Sequence, residues 1–148
     1  MHRFIIPDVI KEHSVISLRR KDNAYDAATE MKKANIAAVL VTDDDGKLEG
    51  IVTERDLTRR VIADGLSPQE TILEDIMTSD PQTLDPTDSA GDALEMMRQR
   101  SFRHLPVSKD GKILGMVSVR DLYAAVKADL EDNIKETEAF VFGDRYSA

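Results

Sequence analysis

The chain has 148 residues, 41% of them hydrophobic, with a formal net charge of −8 at pH 7 and no cysteine. The lack of cysteine excludes a disulfide framework and a cysteine-based zinc site, and the negative charge disfavours nonspecific binding to nucleic acid or to an acidic membrane. No apolar run approaches the roughly 20 residues that span a bilayer, and the N terminus lacks the apolar stretch of a signal peptide. We therefore expect a globular, cytoplasmic protein.

The first half of the chain predicts an extended piece, a helix, a two-stranded hairpin and a second helix. Residues 16–19 form the predicted extended piece. Small apolar residues and a methionine at spacings of three and four predict a helix with one apolar stripe: Ala24, Ala27, Ala28, Met31 and Ala34. β-Prone runs at 37–41 and 48–52 flank an Asp-Gly turn and predict the hairpin. Leu57, Val61 and Ile62 then continue with helical spacing.

The second half repeats this order after a loop at 65–70 and a short apolar turn at 72–78, which we expect to open the second copy. The extended piece is 82–85, and the predicted strands are 105–107 and 113–117. The two helical stripes comprise Ala93, Leu94, Met96 and Met97, and then Leu122, Val126 and Leu130. A charged amphipathic helix is predicted from Lys127 to Phe142, ending near Gly143, as either a solvated terminal helix or a dimer contact.

The two halves are near copies of one another. The offset between them is 66 residues at Asp26 and Asp92 (92 − 26) and 65 residues at Gly46 and Gly111 (111 − 46), so the second hairpin turn is one residue shorter. Each copy has only about 60 residues, a size at which a separate core is marginal. We therefore predict that the two copies fold against each other as a single module.

Each copy ends its hairpin with the same strand-to-helix corner: Gly50, Thr53, Arg55 and Asp56 in the first, and Gly115, Ser118, Arg120 and Asp121 in the second. A hydroxyl followed three residues later by an acid is the pattern of a helix cap, and one such motif alone is usually no more than that. The added arginine favours a nucleotide site, because a helix N terminus and a guanidinium group both bind phosphate. The carboxylate can accept hydrogen bonds from ribose hydroxyls.

These paired corners, together with Asp75-Ile76-Met77-Thr78 and Arg103-His104-Leu105-Pro106-Val107, make the chain resemble a tandem cystathionine-β-synthase (CBS) domain protein. In this family two CBS motifs form one Bateman module. The resemblance implies a mixed α/β (α+β) fold with a β-α-β-β-α motif repeated about a pseudo-twofold axis, the two sheets packing together. It places motif 1 at 9–65, motif 2 at 72–130 and a C-terminal helix or tail at 131–148.

The resemblance also implies two clefts that bind AMP, ADP or ATP, with NAD(H) or S-adenosylmethionine as alternatives. Asp56 and Asp121 would hold the ribose. The residues facing the phosphates would be Thr53, Arg55, Ser118 and Arg120. The residues bordering the adenine would be Ser17, Ala38 and Val39 in one cleft, and Thr83, Leu105, Pro106 and Val107 in the other. His104 would lie near a phosphate or act as a partly buried structural histidine.

The first copy departs from the family pattern. It has Leu40 where the second copy has Pro106, and its opening residues, Val9-Ile10-Lys11-Glu12, lack the Asp-Ile-Met-Thr signature. Its corner is followed by the more basic helix, because Arg59 lies one turn beyond Arg55. We therefore expect unequal occupancy of the two clefts, with the first favouring the more highly charged nucleotide.

The sequence contains no recognisable catalytic constellation. The histidines are dispersed without metal-ligand spacing, and there is no nucleophile elbow or phosphate-binding Gly-Lys loop. Asp43-Asp44-Asp45-Gly46 lacks the ligand spacing of a calcium loop and predicts a hairpin turn. We predict a non-enzymatic regulatory module without a metal, a homodimer that transmits adenine-nucleotide occupancy to an unknown protein partner. The alternative is a constitutive dimerisation or interaction scaffold whose corners are only helix caps.

Overall fold

A computed structural model describes the backbone of residues 3–146 and the side chains of residues 3–141. Met1 and His2 at the N terminus, and Ser147 and Ala148 of the predicted tail, lie outside the described residues. Among the residues that are described, none of the helices combines the length and the apolar character needed to cross a membrane.

The first half contains β1 (Ser17–Leu18), α1 (Ala24–Ala34), β2 (Ala38–Thr42), β3 (Leu48–Thr53) and α2 (Glu54–Leu57), which continues as a wider helical turn over Thr58–Ile62. Helix α1 begins at Asn23, whose side chain accepts a hydrogen bond from the Asp26 amide at 2.8 Å. It ends at Asn35, which adopts the left-handed conformation with φ of 53°. The apolar stripe of α1 is narrower than predicted, because Ala28 and Ala34 are exposed.

The second half contains β4 (Thr78–Ser79), α3 (Ala90–Arg100), β5 (His104–Lys109), β6 (Lys112–Ser118) and α4 (Val119–Tyr146). Helix α3 repeats the caps of α1: Ser89 accepts from the Asp92 amide, and Ser101 is left-handed with φ of 57°. Helix α4 is continuous, so the predicted helix of motif 2 and the predicted charged helix from Lys127 are parts of one helix.

The strands form two sheets with matching irregularities. One sheet has the order β1-β2-β3-β4, and the other pairs β5 with β6. Strand β1 runs parallel to β2, and an isolated parallel bridge from Leu84 to Val107 occupies the equivalent place in the second half. Both hairpins carry a register shift, after Val41 and after Val107. These shared irregularities follow from the duplication of the sequence.

The apolar turn that was expected to open the second copy packs on the first half instead. Leu73, Ile76 and Met77 are buried in the core of the first half, and β4 pairs with β3. A Cβ atom on Gly50 would lie 3.1 Å from the Thr78 carbonyl oxygen, so the glycine permits this close approach of strands. The chain preceding the second copy therefore completes the sheet of the first.

The N-terminal segment makes the reciprocal connection. Ile5 is fully buried in the core of the second half, and the His13 amide donates to the Leu114 carbonyl at 2.9 Å. Each half is thus completed by the segment that precedes the other half in the sequence.

A third apolar cluster joins the two halves. Ala38, Leu40 and Ile51 of the first sheet are buried against Ile113 and Met116 of the second. The predicted mixed α/β fold, with two repeats packed into one module, is confirmed.

Candidate functional site

Both strand-to-helix corners are closed by the same hydrogen bonds. Asp56 Oδ2 accepts from the Thr53 amide at 2.9 Å and from the Thr53 hydroxyl at 3.2 Å, while Thr53 Oγ1 accepts from the Asp56 amide at 3.3 Å. At the second corner, Asp121 Oδ2 accepts from the Ser118 amide at 2.9 Å and from its hydroxyl at 3.0 Å. Each aspartate therefore uses one oxygen for the cap, as a capping box requires.

The first corner opens onto a cavity of 580 Å³ between the two halves. From the first half, the cavity is lined by the corner itself, Ala37, Ile51, Thr58 and Arg60; from the linker comes Thr78, and from the second half come Arg100, Ser101, Phe102, Arg103 and His104. The second-half residues arrive there because the left-handed turn at Ser101 ends α3 beside the start of β5. A molecule in this cavity would contact both halves.

The cavity concentrates positive charge in an acidic protein. Four guanidinium groups line it, against two carboxylates, those of Glu54 and Asp56: the arginines are Arg55, Arg60, Arg100 and Arg103. Within the described side chains, Arg55, Arg100 and Arg103 have no carboxylate within 4.0 Å. Arg60 donates to the Ile76 carbonyl at 3.0 Å and lies 3.7 Å from Asp56. This lining attracts an anion, because four positive charges converge on one cavity.

His104 lies between the two corners. Burial lowers the pKa of its imidazole, and the neighbouring Arg103 lowers it further, whereas Asp121 and Glu54 act in the opposite direction. Its Nδ1 atom is buried without a hydrogen-bond partner among the described residues. An unpaired buried polar atom is uncommon in a folded protein. The two carboxylates that act on His104 come from the two different corners.

Comparison with protein families gives a match to the CBS domain at residues 8–63 and again at residues 73–128. The chain is a CBS-domain protein. The two matched ranges coincide with the duplicated halves, so the predicted membership in the tandem CBS family is confirmed.

Relatives of known sequence and structure agree with this assignment. The mitochondrial CBS domain-containing protein CBSX3 of Arabidopsis thaliana is 34% identical over 126 residues, covering 82% of this chain and 61% of the relative. A CBS-domain protein from Burkholderia ambifaria MC40-6 is 37% identical, with a TM-score of 0.75 over 78% of this chain and 85% of that chain. The chain spans only 18% to 61% of the length of the first curated relatives that it matches.

A further solved structure is a CBS domain protein from Pyrobaculum aerophilum in complex with AMP. It is 30% identical, with a TM-score of 0.69 over 76% of this chain and 86% of that chain.

The CBS fold brings four of the predicted site residues together at the first cavity: Thr53, Arg55, Asp56 and His104. Arg120 lines two neighbouring cavities, of 750 Å³ and 600 Å³. Ser118 and Asp121 close the second corner between these cavities without lining any of the described ones.

The residues predicted to border the adenine lie elsewhere. Five of them are buried within the sheets: Ala38, Val39, Leu105, Pro106 and Val107. Ser17 lies in a cleft beside Arg19 and the first hairpin turn, and Thr83 lies in a small cleft beside Lys47 and Ser108. Arg59, predicted to make the first site more basic, is exposed, and Arg60 lines the cavity in its place.

The two cavities that Arg120 lines differ in charge. In the 600 Å³ cavity, Asn35, Ile36 and Ala37 take the places of Ser101, Phe102 and Arg103, and Lys32 and Arg120 are the cations beside the carboxylate of Glu54. The 750 Å³ cavity is lined by the carboxylate of Glu95 and by four arginines, namely Arg55, Arg98, Arg103 and Arg120. The 600 Å³ cavity is therefore less basic than the first cavity, whereas the 750 Å³ cavity is not.

Sequence reasoning did not assign Arg60, Arg100 or Arg103 to the site. Arg100 and Arg103 flank the left-handed turn just before β5, and a cation near the end of a helix is favoured by the helix dipole without any ligand contact. Their sequence positions therefore gave no signal of a site.

Proposed function

We propose that this chain is a regulatory module that binds an adenine nucleotide, carries out no catalysis itself, and transmits occupancy to a partner protein. The observation that carries the proposal is the first cavity, where Thr53 and Asp56 lie with four arginines, two from each CBS motif. The AMP complex of the Pyrobaculum aerophilum relative supports the choice of ligand. We further propose that the protein acts in the cytoplasm as a homodimer.

Each part of the nucleotide has a matching group in the cavity. The second oxygen of Asp56, Oδ1, takes no part in the cap and would accept from ribose hydroxyls, with the Arg60 Nε atom 3.7 Å away. Arg55, Arg100 and Arg103 offer charge-assisted hydrogen bonds to phosphate oxygens. Ile51 and Phe102 supply apolar surface for the base. Guanidinium groups outnumber carboxylates by four to two in the first cavity, so it would favour ADP or ATP over AMP.

Signal transmission would follow from the position of the cavity. A ligand that contacts the first corner and residues 100–104 of the second motif stabilises one arrangement of the two motifs. A partner protein that prefers this arrangement then senses the nucleotide, and the coupling is reciprocal. Arg60 connects the cavity to the linker through the Ile76 carbonyl, so phosphate binding would compete for this contact.

Thermal unfolding with added nucleotides tests the proposal. A ligand at 100 times its dissociation constant stabilises a protein by about 2.7 kcal/mol, which corresponds to roughly 5–10 °C for a chain of this size. We expect shifts with AMP, ADP or ATP and a much smaller shift with GMP as the matched control. NAD(H) and S-adenosylmethionine belong in the same series because the predicted ligand class includes them.

A constitutive dimerisation scaffold is the second candidate. The observation in its favour is that both corners form complete capping networks without any ligand. The absence of a shift with every adenosine compound in the series would favour the scaffold over the nucleotide sensor.

A further inference from the structure

Helix α4 continues well beyond the part that packs on the second CBS motif. The family match ends at residue 128, whereas the helix runs to Tyr146. Leu122 and Ala125 are buried in the domain core, and Arg3 forms ion pairs with Asp129 and Asp132 on the inner side of the helix. From 133 to 141 every residue is exposed.

An apolar seam runs along the outer side of this helix, and we define it as Tyr123, Leu130, Ile134 and Val141. At 3.6 residues per turn these four side chains fall within a sector of about 40°, whose centre is about 100° around the helix from Leu122 and about 160° from Ala125. Their exposed fractions are 62%, 57%, 57% and 46%. Four large apolar side chains aligned over five turns are unusual for a solvated helix face and are typical of a helix–helix contact.

The four residues of the seam are spaced symmetrically about Asp132 along the helix. Leu130 and Ile134 each lie two residues from this centre, and Tyr123 and Val141 each lie nine residues from it. If two copies of α4 cross antiparallel with a twofold axis near Asp132, Leu130 therefore meets Ile134 of the second copy and Tyr123 meets Val141. Such self-complementarity is the property that an isologous interface requires.

Charge on the flank of the seam favours the same arrangement. Lys127 lies five residues before Asp132 and Glu138 lies six residues after it, on the same side of the seam. An antiparallel pair therefore places Lys127 beside Glu138 of the second copy, twice per dimer. A parallel pair would instead place Lys127 beside Lys127 and Glu138 beside Glu138, which is repulsive.

We propose that α4 of one chain pairs antiparallel with α4 of a second copy through this seam, with the twofold axis near Asp132. The inference rests on the proposed homodimer and names its contact surface. The overlap from Tyr123 to Val141 is about 28 Å long at 1.5 Å per residue. Tyr123 also lines the cavity of Arg120, so one end of the seam lies beside the second corner.

Cross-linking tests the direction of the pairing, because the chain contains no cysteine of its own. Lys127→Cys and Glu138→Cys are prepared separately, mixed in equal amounts, equilibrated and oxidised. In the antiparallel pair, position 127 lies beside position 138 on the same side of the seam, so we expect a mixed disulfide dimer. Each variant alone should not cross-link, because its two cysteines are about 15 Å or more apart along the helix, beyond disulfide reach. Efficient cross-linking of each variant alone would overturn the antiparallel arrangement.

Sedimentation velocity tests the seam itself. Ile134→Glu should raise the dimer dissociation constant at least tenfold, whereas Ala139→Glu adds the same charge on the opposite side of the helix and should change it less than twofold. Circular dichroism verifies that both variants keep their helix. Equal dimer dissociation constants for the two variants would show that the seam is not the dimer contact.

A wild-type chain that is monomeric at 100 µM would overturn both the seam and the homodimer. Nucleotide binding is measured separately, by the AMP-dependent thermal shift of Ile134→Glu. Because this readout does not depend on the seam, failure of the dimer contact and failure of the nucleotide proposal can be told apart.

Discussion

Asp56 has two separable roles in this structure, and replacing it with asparagine distinguishes them. Oδ2 of Asp56 accepts the two hydrogen bonds that cap α2, at 2.9 and 3.2 Å from Thr53. An asparagine keeps one oxygen for the cap, so we expect Asp56→Asn to lower the free energy of unfolding by less than about 1 kcal/mol. The same change replaces the oxygen that would hold the ribose by an amide donor.

The expected loss of affinity follows from the value of hydrogen bonds to a charged group. Such bonds contribute about 1.5–3 kcal/mol, which corresponds to a loss of about 10- to 150-fold in AMP affinity. Removing a negative charge from a cationic cavity also strengthens the attraction for phosphate, which partly offsets this loss. Comparison with 2′,3′-dideoxy-AMP isolates the ribose contribution, because the phosphate is unchanged.

Isothermal calorimetry of both proteins with both ligands gives a thermodynamic cycle. We expect Asp56→Asn to weaken the binding of AMP strongly and the binding of dideoxy-AMP only a little. If the protein change and the ligand change weaken binding additively, Asp56 does not contact the ribose and the reasoning is refuted. Asp121→Asn is the matched control, because Asp121 makes the same cap but lines none of the described cavities. Asp121→Asn should lower the free energy of unfolding by the same amount as Asp56→Asn and should change the affinity of the first cavity for AMP by less than about twofold.

Two further predictions concern packing and pH. Gly50→Ala should lower the free energy of unfolding by about 1–3 kcal/mol in urea titrations, because the new Cβ would lie 3.0 Å from Met77 Cγ. Gly91→Ala is the control: its new Cβ would have its nearest atom 4.0 Å away, and it should stabilise α3 by about 0.5–1 kcal/mol. An unchanged free energy of unfolding for Gly50→Ala would contradict the close approach of the strands. Because burial lowers the pKa of His104, the unfolded chain binds the extra proton first, so stability should fall as the pH drops below the ordinary value of about 6.5. A bound phosphate favours the protonated imidazole, so AMP titrations at pH 6 and 8 should show proton uptake that His104→Gln abolishes; identical pH profiles for the two proteins would refute a phosphate contact.

The repeating parts of this fold could be predicted from the sequence because they depend on local patterns. Spacings of three and four residues gave α1 and α3, and alternating apolar runs around Asp-Gly gave both hairpins. The corners at Thr53 and Ser118 were found because the same spacing occurs twice. Their capping geometry follows from the chemistry of a hydroxyl and an acid three residues apart.

The exchange of segments between the halves could not be predicted in the same way. The apolar turn containing Leu73 and Met77 indicates burial, but its pattern does not say which of two similar cores receives it. The arginines at 100 and 103 reach the first corner only as a result of this arrangement of the halves. Their role is therefore a property of the tertiary structure.

The residues predicted to border the adenine stay a prediction. Val39 packs into the core of the first half, whereas Ala38 packs between the two sheets. A strand that is apolar at every position has side chains that are covered on both faces of the sheet.

A crystal structure of the protein grown with millimolar AMP tests the central claim most directly. We expect one nucleotide in the cavity between the two motifs, with its ribose hydroxyls within 3.2 Å of Asp56 and its phosphate beside Arg100, Arg103 or His104. An AMP molecule bound away from Asp56, or a cavity occupied by the protein's own side chains at saturating AMP, would contradict it.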